Sequence, residues 1–463
     1  MSEAVPKNKS QKNIELIRGD PKVAIRKLSG PTMLSMLLIM LYNLADSLWV
    51  AGLGADALAA LGFITPLFMI LIGVGNGIGA GATSLIARAI GANNKKLADN
   101  AAVHSVVFAV ILSILIPLIL IPFLKDILLL MGAGNTYQYG LDYGNIVFMG
   151  MIVFILSGVF SALLRAEGDV NRSMYAVAVT AILNMVIDPL LIYVARWGIA
   201  GAAWATLISS LISIIVMAYW IWGKSDTYLK ITKSNFEYKN YILKEISLVA
   251  IPNMTETVVF SVMVMCINAM LTIVGGTTEV AAYSAASRIN MFTMIPLIGI
   301  GTAMLTVAGV AFGSKDYDKL SEAHSYSIVF GYIISIILCI IMFFGADYIS
   351  MIFTYTDQSA SLAPMIANVL RILCFFLLAI PAGMMSAMTF QGVGKGMTSL
   401  AITIFRALLI EIALAYLLGI VLGYGVSGIY TGMVLAAVIG TIVSYGWCKL
   451  YIKRLINWVF NLN

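Results

Sequence analysis

Long apolar runs, each long enough to cross a bilayer as a helix, recur from one end of this chain to the other. Of its 463 residues, 61% are hydrophobic and only 11% are charged, whereas a soluble globular chain carries about 25% charged residues. A spanning helix needs about 20 apolar residues. This pattern predicts an all-α integral membrane protein and excludes a soluble globular protein. We predict twelve spans, at residues 28–53, 57–85, 101–130, 138–164, 172–195, 199–223, 246–275, 279–311, 322–345, 361–388, 397–421 and 425–450.

Basic residues indicate how the spans are oriented. Of the 28 Lys and Arg residues, 23 fall in the tails and even-numbered loops or in the ends of the spans beside them, and only Lys125 and Arg196 fall in odd-numbered loops or the ends of the spans beside those. By the positive-inside rule, both termini are expected in the cytoplasm and the protein in the cell membrane. The first 27 residues are polar, which does not match a cleavable signal peptide. The net charge of +6 is therefore interpreted as topogenic and as facing anionic lipids, with no nucleic-acid partner.

The chain also repeats itself. Glycines at 77 and 79 in the second span match glycines at 299 and 301 in the eighth, an offset of 222 that also pairs Gly54 with Gly276 and places Asn268 opposite Asp46. Two repeats with an even number of spans share one orientation, which predicts two lobes related by a pseudo-two-fold axis along the membrane normal. The predicted parts are a tail (1–27), an N-lobe (28–223), a linker (224–245), a C-lobe (246–450) and a second tail (451–463).

A single acid, Asp46, lies within the first span. Charged groups at membrane depth cost at least about 2.5 kcal/mol, so such residues are candidates for a functional site. On a helix, Tyr42 and Asn43 share a face with Asp46. The alternative is a structural acid that bonds a neighbouring helix.

A second acid, Asp188, lies in the fifth span, where Asn184 precedes it by one turn and Pro189 follows it. Proline frees a backbone carbonyl, so the site is rich in oxygen, and Thr206 offers a hydroxyl. Hard cations bind oxygen ligands, and a carboxylate also takes a proton. A kinked structural helix is the alternative.

The second half carries different polar groups. Glu256 follows Pro252 in the seventh span, and Glu411 lies one residue from the position that the repeat assigns to Asp188. Arg371 and Arg406 are candidates to neutralise either glutamate. For Glu256, Glu411, Arg371 and Arg406, a structural ion pair and a ligand role are the two alternatives. A role in substrate binding or lobe gating is a hypothesis for six residues: Tyr42, Asn43, Glu256, Asn268, Arg406 and Glu411.

Enzyme signatures are not convincing in this sequence. Neither the glycine-rich run at 73–81 nor the segment 392–399 has the spacing of a nucleotide-binding loop, and the glycines of the second span are expected to permit close helix packing. The four cysteines have no paired spacing. We therefore expect no enzyme activity, no cofactor other than a coupling ion, and a monomer.

The residues 31–46, the glycine-rich second span, the turn at 165–169 and the segment 184–203 resemble the multidrug and toxic compound extrusion (MATE) family. The tail segment 15–21 and the single acids of the first and fifth spans resemble its DinF-like branch. The resemblance implies that Asp46 and Asp188 exchange the coupling charge, that Asn184 and Thr206 are oxygen ligands, and that Tyr143 is a hydrogen-bond partner. A Na⁺ site would use Asp46, Asn184, Asp188 and Thr206. This sequence departs from the family pattern at two points. Ile39 stands where some relatives have glutamine, and the aspartate that the NorM-like branch has in the tenth span is not evident.

These observations predict an antiporter that exports amphiphilic cationic or neutral compounds in exchange for H⁺ or Na⁺ by alternating access. A flippase for lipids or lipid-linked oligosaccharides on the same fold is the main alternative, since a fold does not fix the substrate. A membrane prenyltransferase would need clustered aspartates; Asp316 and Asp318 are flanked by lysines and resemble a solvated loop. A channel or receptor would not need the internal repeat.

Overall fold

The computed structural model describes residues 9–351, 354 and 362–460, and almost all of them are helical, with no strand in these ranges. Apolar segments of this length are helical because the bilayer core offers no water to backbone N–H and C=O groups, which a helix pairs internally. The all-α membrane architecture predicted from the sequence is confirmed.

The first half contains six bilayer-length passages. They are preceded by a short helix, α1 (Lys9–Arg18), and the fourth passage is bent by 51° between two helices. The helices are α2 (Pro21–Ala51), α3 (Ala55–Gly91), α4 (Lys95–Leu130), α5 (Tyr137–Met149), α6 (Met151–Ala166), α7 (Val170–Pro189) and α8 (Gly198–Ala218).

The second half begins with one continuous helical stretch, α9 (Asn240–Gly313), of 74 residues. It is broken at Gly276, where φ is 72° and ψ is −171°, a conformation that glycine adopts without steric cost. The remaining helices are α10 (Tyr317–Met351), α11 (Ala363–Ala379), α12 (Pro381–Gly392), α13 (Gly396–Ile404), α14 (Ile412–Tyr416) and α15 (Gly425–Phe460).

Among the described residues, nine helices are long and apolar enough to span a membrane, and two bent pairs bring the number to eleven. The 74-residue α9 is more than twice the length that one span needs, and its break at Gly276 divides it into two. The number of spans is then twelve, as the sequence predicts.

The helices form two compact units. Among the described residues, unit 1 comprises those up to Asp20 together with Gly30–Met254, and unit 2 comprises Pro21–Ser29 together with those from Thr255 onward. The predicted N-terminal tail (1–27) contains α1 and the start of α2, and its first eight residues lie outside the described ranges. Likewise, α15 extends to Phe460 within the predicted C-terminal tail (451–463), and residues 461–463 lie outside the described ranges.

The glycines of α3 permit close helix packing, as predicted. A Cβ atom on Gly79 would lie 2.8 Å from the Cβ atom of Ala162, and one on Gly81 would lie 2.4 Å from the carbonyl oxygen of Ile246. Such contacts are too short for any side chain at these positions. Small residues thus let neighbouring backbones approach each other in a membrane, where van der Waals packing holds helices together.

The linker (224–245) is fastened to unit 1 by hydrogen bonds. The backbone N–H of Leu229 donates to Oε2 of Glu167 at 2.9 Å, and the guanidinium of Arg172 binds both carboxylate oxygens of Asp226 at 2.8 and 2.6 Å. Glu167 is only 2% exposed. A segment that the sequence presents as a polar loop is therefore an ordered part of unit 1.

Candidate ion-coupling site

Two polar side chains of α7 lie at the centre of the candidate site. Asn184 and Asp188 are both completely buried, and Nδ2 of Asn184 donates to Oδ1 of Asp188 at 3.3 Å. This is the one-turn pairing predicted from their spacing. Pro189 ends α7, and a π-helical turn, Leu190–Val194, follows it, so the regular helix stops directly after the acid.

Helix α8 contributes a hydroxyl to the same cluster. The second hydrogen of the Asn184 amide group lies toward Thr206, with Nδ2 3.2 Å from Oγ1. Thr206 also donates to the carbonyl of Ala202 in its own helix at 3.1 Å. The threonine hydroxyl therefore acts as an acceptor within the cluster while its own proton is used locally.

Asp46 of α2 and Tyr143 of α5 lie beside this cluster. Asp46 is close enough to Asp188 for their charges to interact. The side chain of Tyr143, which is buried, lies near enough to Thr206 and to both acids to interact with them. Unit 1 therefore brings together all five residues predicted to couple the ion: Asp46, Tyr143, Asn184, Asp188 and Thr206.

Three buried oxygens of this cluster have no hydrogen-bond partner in the part of the chain that the structure describes. They are Oδ1 of Asp46, Oδ1 of Asn184 and Oδ2 of Asp188. Leaving a buried carboxylate or amide oxygen unpaired costs about 1–3 kcal/mol, and more if it is charged. Oxygens of this kind fit a hard cation, and either carboxylate also fits a bound proton.

The other two polar residues of the first span are placed differently. Tyr42 is half-buried and interacts with Asp46. Asn43 is exposed, and Ser47 donates to its backbone carbonyl at 2.9 Å. The predicted face of phenol, amide and acid is thus only partly assembled, since the Asn43 side chain turns to the surface.

Tyr193, which is not among the predicted site residues, links α2 to the turn that follows α7. It lies in the π-helical turn after Pro189, and its hydroxyl donates to the backbone carbonyl of Trp49 at the end of α2. Gly52 leaves the space for this contact, because a Cβ atom there would lie 2.1 Å from the Tyr193 oxygen. No sequence pattern predicts this contact, because Tyr193 and Trp49 are 144 residues apart.

In unit 2, Glu256 is held by two polar side chains that are distant in sequence. The hydroxyl of Ser399 donates to Oε1 of Glu256 at 2.7 Å, and Nε2 of Gln391 lies 3.2 Å from Oε2 of Glu256 and 3.2 Å from the Ser399 hydroxyl. Neither partner was predicted. The carboxylate is satisfied locally, which favours the structural interpretation of Glu256.

The arginines of unit 2 pair selectively. Arg406 pairs with the completely buried Glu411, with Nη1 3.1 Å from Oε2. Arg371 pairs with Asp347 at 2.6 Å, so the suggestion that it neutralises one of the two glutamates is wrong. Asn268 is half-buried and its Oδ1 atom has no partner among the described residues.

Comparison with known proteins agrees with the repeat found in the sequence. The MatE family model matches residues 31–190 and again 252–417, so the two matches begin 221 residues apart, close to the repeat of 222 found in the sequence. A probable multidrug resistance protein of Bacillus subtilis, YoeA, is 25% identical over 417 residues, which cover 88% of this chain and 89% of that protein.

A probable multidrug resistance protein of Thermotoga maritima, NorM, is 26% identical over 418 residues, covering 88% of each chain. The structure of an outward-facing multidrug resistance MATE transporter of the MOP superfamily superimposes with a TM-score of 0.93 at 36% identity, covering 96% of this chain and 98% of that one. That fold is two-lobed, in agreement with the two units. The chain belongs to the MATE family of multi-pass membrane transporters.

Proposed function

We propose that this protein exports amphiphilic cationic or neutral organic compounds in exchange for H⁺ or Na⁺. The observation that carries the proposal is the cluster of Asp46, Asn184 and Asp188, in which three buried oxygens have no partner among the described residues. The names of the relatives, multidrug resistance proteins in Bacillus subtilis and Thermotoga maritima, support drug export. They do not favour the flippase alternative.

The coupling mechanism follows from the neighbouring acids. Two carboxylates in a poorly solvated cluster disfavour each other's ionisation. A proton or Na⁺ that enters neutralises part of this charge and changes the bonding of Asp188 to Asn184. Because Asp46 lies on α2 and Asp188 on α7, the bound ion changes the interaction between these helices. Ion binding that differs between two conformations shifts their populations.

The same cluster explains how a membrane potential would drive export. When the substrate is neutral, each ion that moves inward contributes about 2.3 kcal/mol per 100 mV of membrane potential. Exchange of one inward ion for one monovalent cation moves no net charge, so the concentration gradient of the ion drives that export. Since a factor of ten in concentration corresponds to about 1.4 kcal/mol, one ion per cycle supports a useful substrate gradient. In this proposal the protein acts as a monomer in the cell membrane, where it contacts membrane lipids. Both of its termini lie in the cytoplasm.

The decisive experiment measures efflux of a cationic dye from proteoliposomes under a proton gradient and, separately, under a sodium gradient. The wild type should respond to at least one. Asp46→Asn and Asp188→Asn should each abolish gradient-driven efflux and still bind the dye, because an amide keeps the shape but cannot exchange charge. Gradient-driven efflux that survives either substitution would show that these acids are structural.

Glu256→Gln is the matched control in unit 2. It also converts a poorly exposed carboxylate to an amide, but Glu256 is already satisfied by Ser399 and Gln391. We expect lower protein yield, because one hydrogen bond is lost, with the ion dependence of transport retained. A change in which ion drives transport would make Glu256 a coupling residue.

A further inference from the structure

A cavity of about 270 Å³ lies at the ends of three helices of unit 2. One wall belongs to α9 just after its break at Gly276, and the others belong to the first two turns of α11 and of α15. The polar side chains that line it are those of Glu279, Asn368, Ser427 and Tyr430. The distribution of basic residues predicts that these helix ends face the outside of the cell.

Glu279 is the charged residue of this lining. It is half-buried, and it has no hydrogen bond or ion pair in the described ranges. Gly275 leaves space for its side chain, because a Cβ atom there would lie 2.2 Å from Cγ of Glu279 and 2.9 Å from Cγ2 of Val426. The region of the break in α9 therefore places an unpaired carboxylate at the cavity wall.

Tyr430 supplies a second unpaired group to the same cavity. Its side chain is 1% exposed, and its hydroxyl has no hydrogen-bond partner in the part of the chain that the structure describes. The ring stacks on that of Tyr283, with 5.9 Å between the ring centroids, and it lies near enough to Glu279 to interact with it. A buried hydroxyl without a partner is costly, so a ligand that bonds it in this cavity is favoured.

The lining fits an organic ammonium ion. An ammonium group has three N–H donors and no acceptor, which complements a carboxylate, a hydroxyl and an amide oxygen. The other walls are apolar and suit a small hydrocarbon body, since ligand sites combine apolar walls with a few polar groups. A hard metal ion would need six or more oxygen ligands close around it and would leave most of the cavity empty. The apolar walls are those of Pro364, Met365, Val369 and Val426.

We propose that this cavity binds a small primary ammonium compound with an apolar body. The ammonium group donates to the carboxylate of Glu279, to the hydroxyl of Tyr430 and to the amide oxygen of Asn368. The apolar body lies against Met365 and Val426. An occupant would connect α9, α11 and α15 at one end of unit 2. This site is separate from the ion-coupling cluster, whose residues all belong to unit 1, and the inference does not depend on the proposed export function.

Two ligands with the same hydrocarbon body test the proposal: 2-phenylethylamine, which is a cation at neutral pH, and 2-phenylethanol, which is neutral. Binding is measured by isothermal titration calorimetry on the purified protein in nanodiscs of zwitterionic lipid, with empty nanodiscs as the blank. The wild type should bind the amine about tenfold or more tightly than the alcohol, because hydrogen bonds to charged groups are the stronger ones. Glu279→Gln should remove this preference by weakening binding of the amine alone.

Tyr430→Phe separates a ligand role from a structural one. Because the hydroxyl has no partner among the described residues, its removal should leave the melting temperature of the unliganded protein unchanged or raised. The same variant should bind the amine about fivefold less tightly, as expected when one hydrogen bond to a charged group is lost. A lower melting temperature with unchanged affinity would instead make Tyr430 a structural residue and overturn its assigned role.

Asp347→Asn is the matched control, since it removes a carboxylate of unit 2 that is already paired with Arg371; it should bind both ligands as the wild type does. Equal affinity of the wild type for the amine and the alcohol would overturn the proposal. So would amine binding that Glu279→Gln leaves unchanged. If Glu279→Gln does not fold, the wild-type preference and the Tyr430→Phe variant still decide the question.

Discussion

Arg406 and Glu411 form an ion pair although they are five residues apart along one helix, with Nη1 3.1 Å from Oε2. In a regular α-helix, with 3.6 residues per turn, residues at this spacing point about 140° apart. Here the segment Phe405–Glu411 is π-helical, and the wider turn brings the fifth residue back over the first. The irregular turn is therefore what neutralises Glu411 inside the membrane.

The neighbouring helix makes room for this pair, which leads to the first prediction. A Cβ atom on Gly440 of α15 would lie 2.4 Å from Cγ of Arg406. Gly440→Ala should therefore displace the arginine and destabilise the protein by about 1–3 kcal/mol, the usual cost of overpacking. Thermal unfolding in detergent measures the effect.

Gly446→Ala, in the same helix, is the control, because nothing lies within 4 Å of its Cβ position. This variant should be neutral or slightly stabilised, since alanine favours helix more than glycine does. Equal stability of the two variants would show that Arg406 adapts freely and that its position is not set by Gly440.

The second prediction concerns Asp46 and Asp188 as a unit. If the two acids share one exchangeable charge, Asp46→Asn combined with Asp188→Asn should transport no worse than either single variant, because residues that act together are not additive. Gradient-driven dye efflux from proteoliposomes provides the comparison. If the double variant instead lost efflux activity by the product of the two single-variant factors, the two acids would have independent roles.

The third prediction is a pH dependence of stability caused by Glu167, which lies in the turn after α6. Burial raises the pKa of Glu167 to about 8, and the nearby Asp169 also raises it, while the backbone N–H groups of Leu229 and Tyr228 and the charge of Arg172 lower it. The folded state therefore binds this proton more tightly than the unfolded state does. Its contribution to stability is fully present below the unfolded pKa and is lost as the pH rises to about 8.

Glu167→Gln should accordingly flatten the fall in melting temperature between about pH 5 and pH 8. In the wild type, the free energy of unfolding changes by at most about 1.4 kcal/mol per pH unit from one such group. Glu237→Gln, at an exposed position of the linker, is the control and should keep the wild-type slope. An unchanged slope in Glu167→Gln would mean that this carboxyl group does not titrate in that window.

The fourth prediction tests the orientation in the membrane. Ser234 in the linker and Gln138 at the start of α5 are both exposed, and the distribution of basic residues predicts that they lie on opposite sides of the membrane. In intact cells expressing a cysteine-depleted background, an impermeant thiol reagent should label Gln138→Cys and not Ser234→Cys. The reverse pattern would invert the assigned topology.

Several features of this protein follow from local sequence alone. The twelve spans follow from apolar length, because a bilayer leaves helices as the only way for such segments to pair their backbone groups. The bond between Asn184 and Asp188 follows from their one-turn spacing. The glycines of α3 predict close helix packing, because a residue without a side chain lets two helix backbones approach each other most closely.

Other features were decided only by the tertiary structure. Ser399 and Gln391 reach Glu256 across 143 and 135 residues, and the linker docks on Glu167 across 62; no local periodicity encodes such contacts. The sequence makes Arg406 a candidate partner of either Glu256 or Glu411, but a 3.6-residue period predicts that the side chains of Arg406 and Glu411 diverge. The π-helical turn decides that Arg406 meets Glu411. Sequence determines where helices form and which charges are buried, whereas the packing of helices decides which partner each buried charge meets.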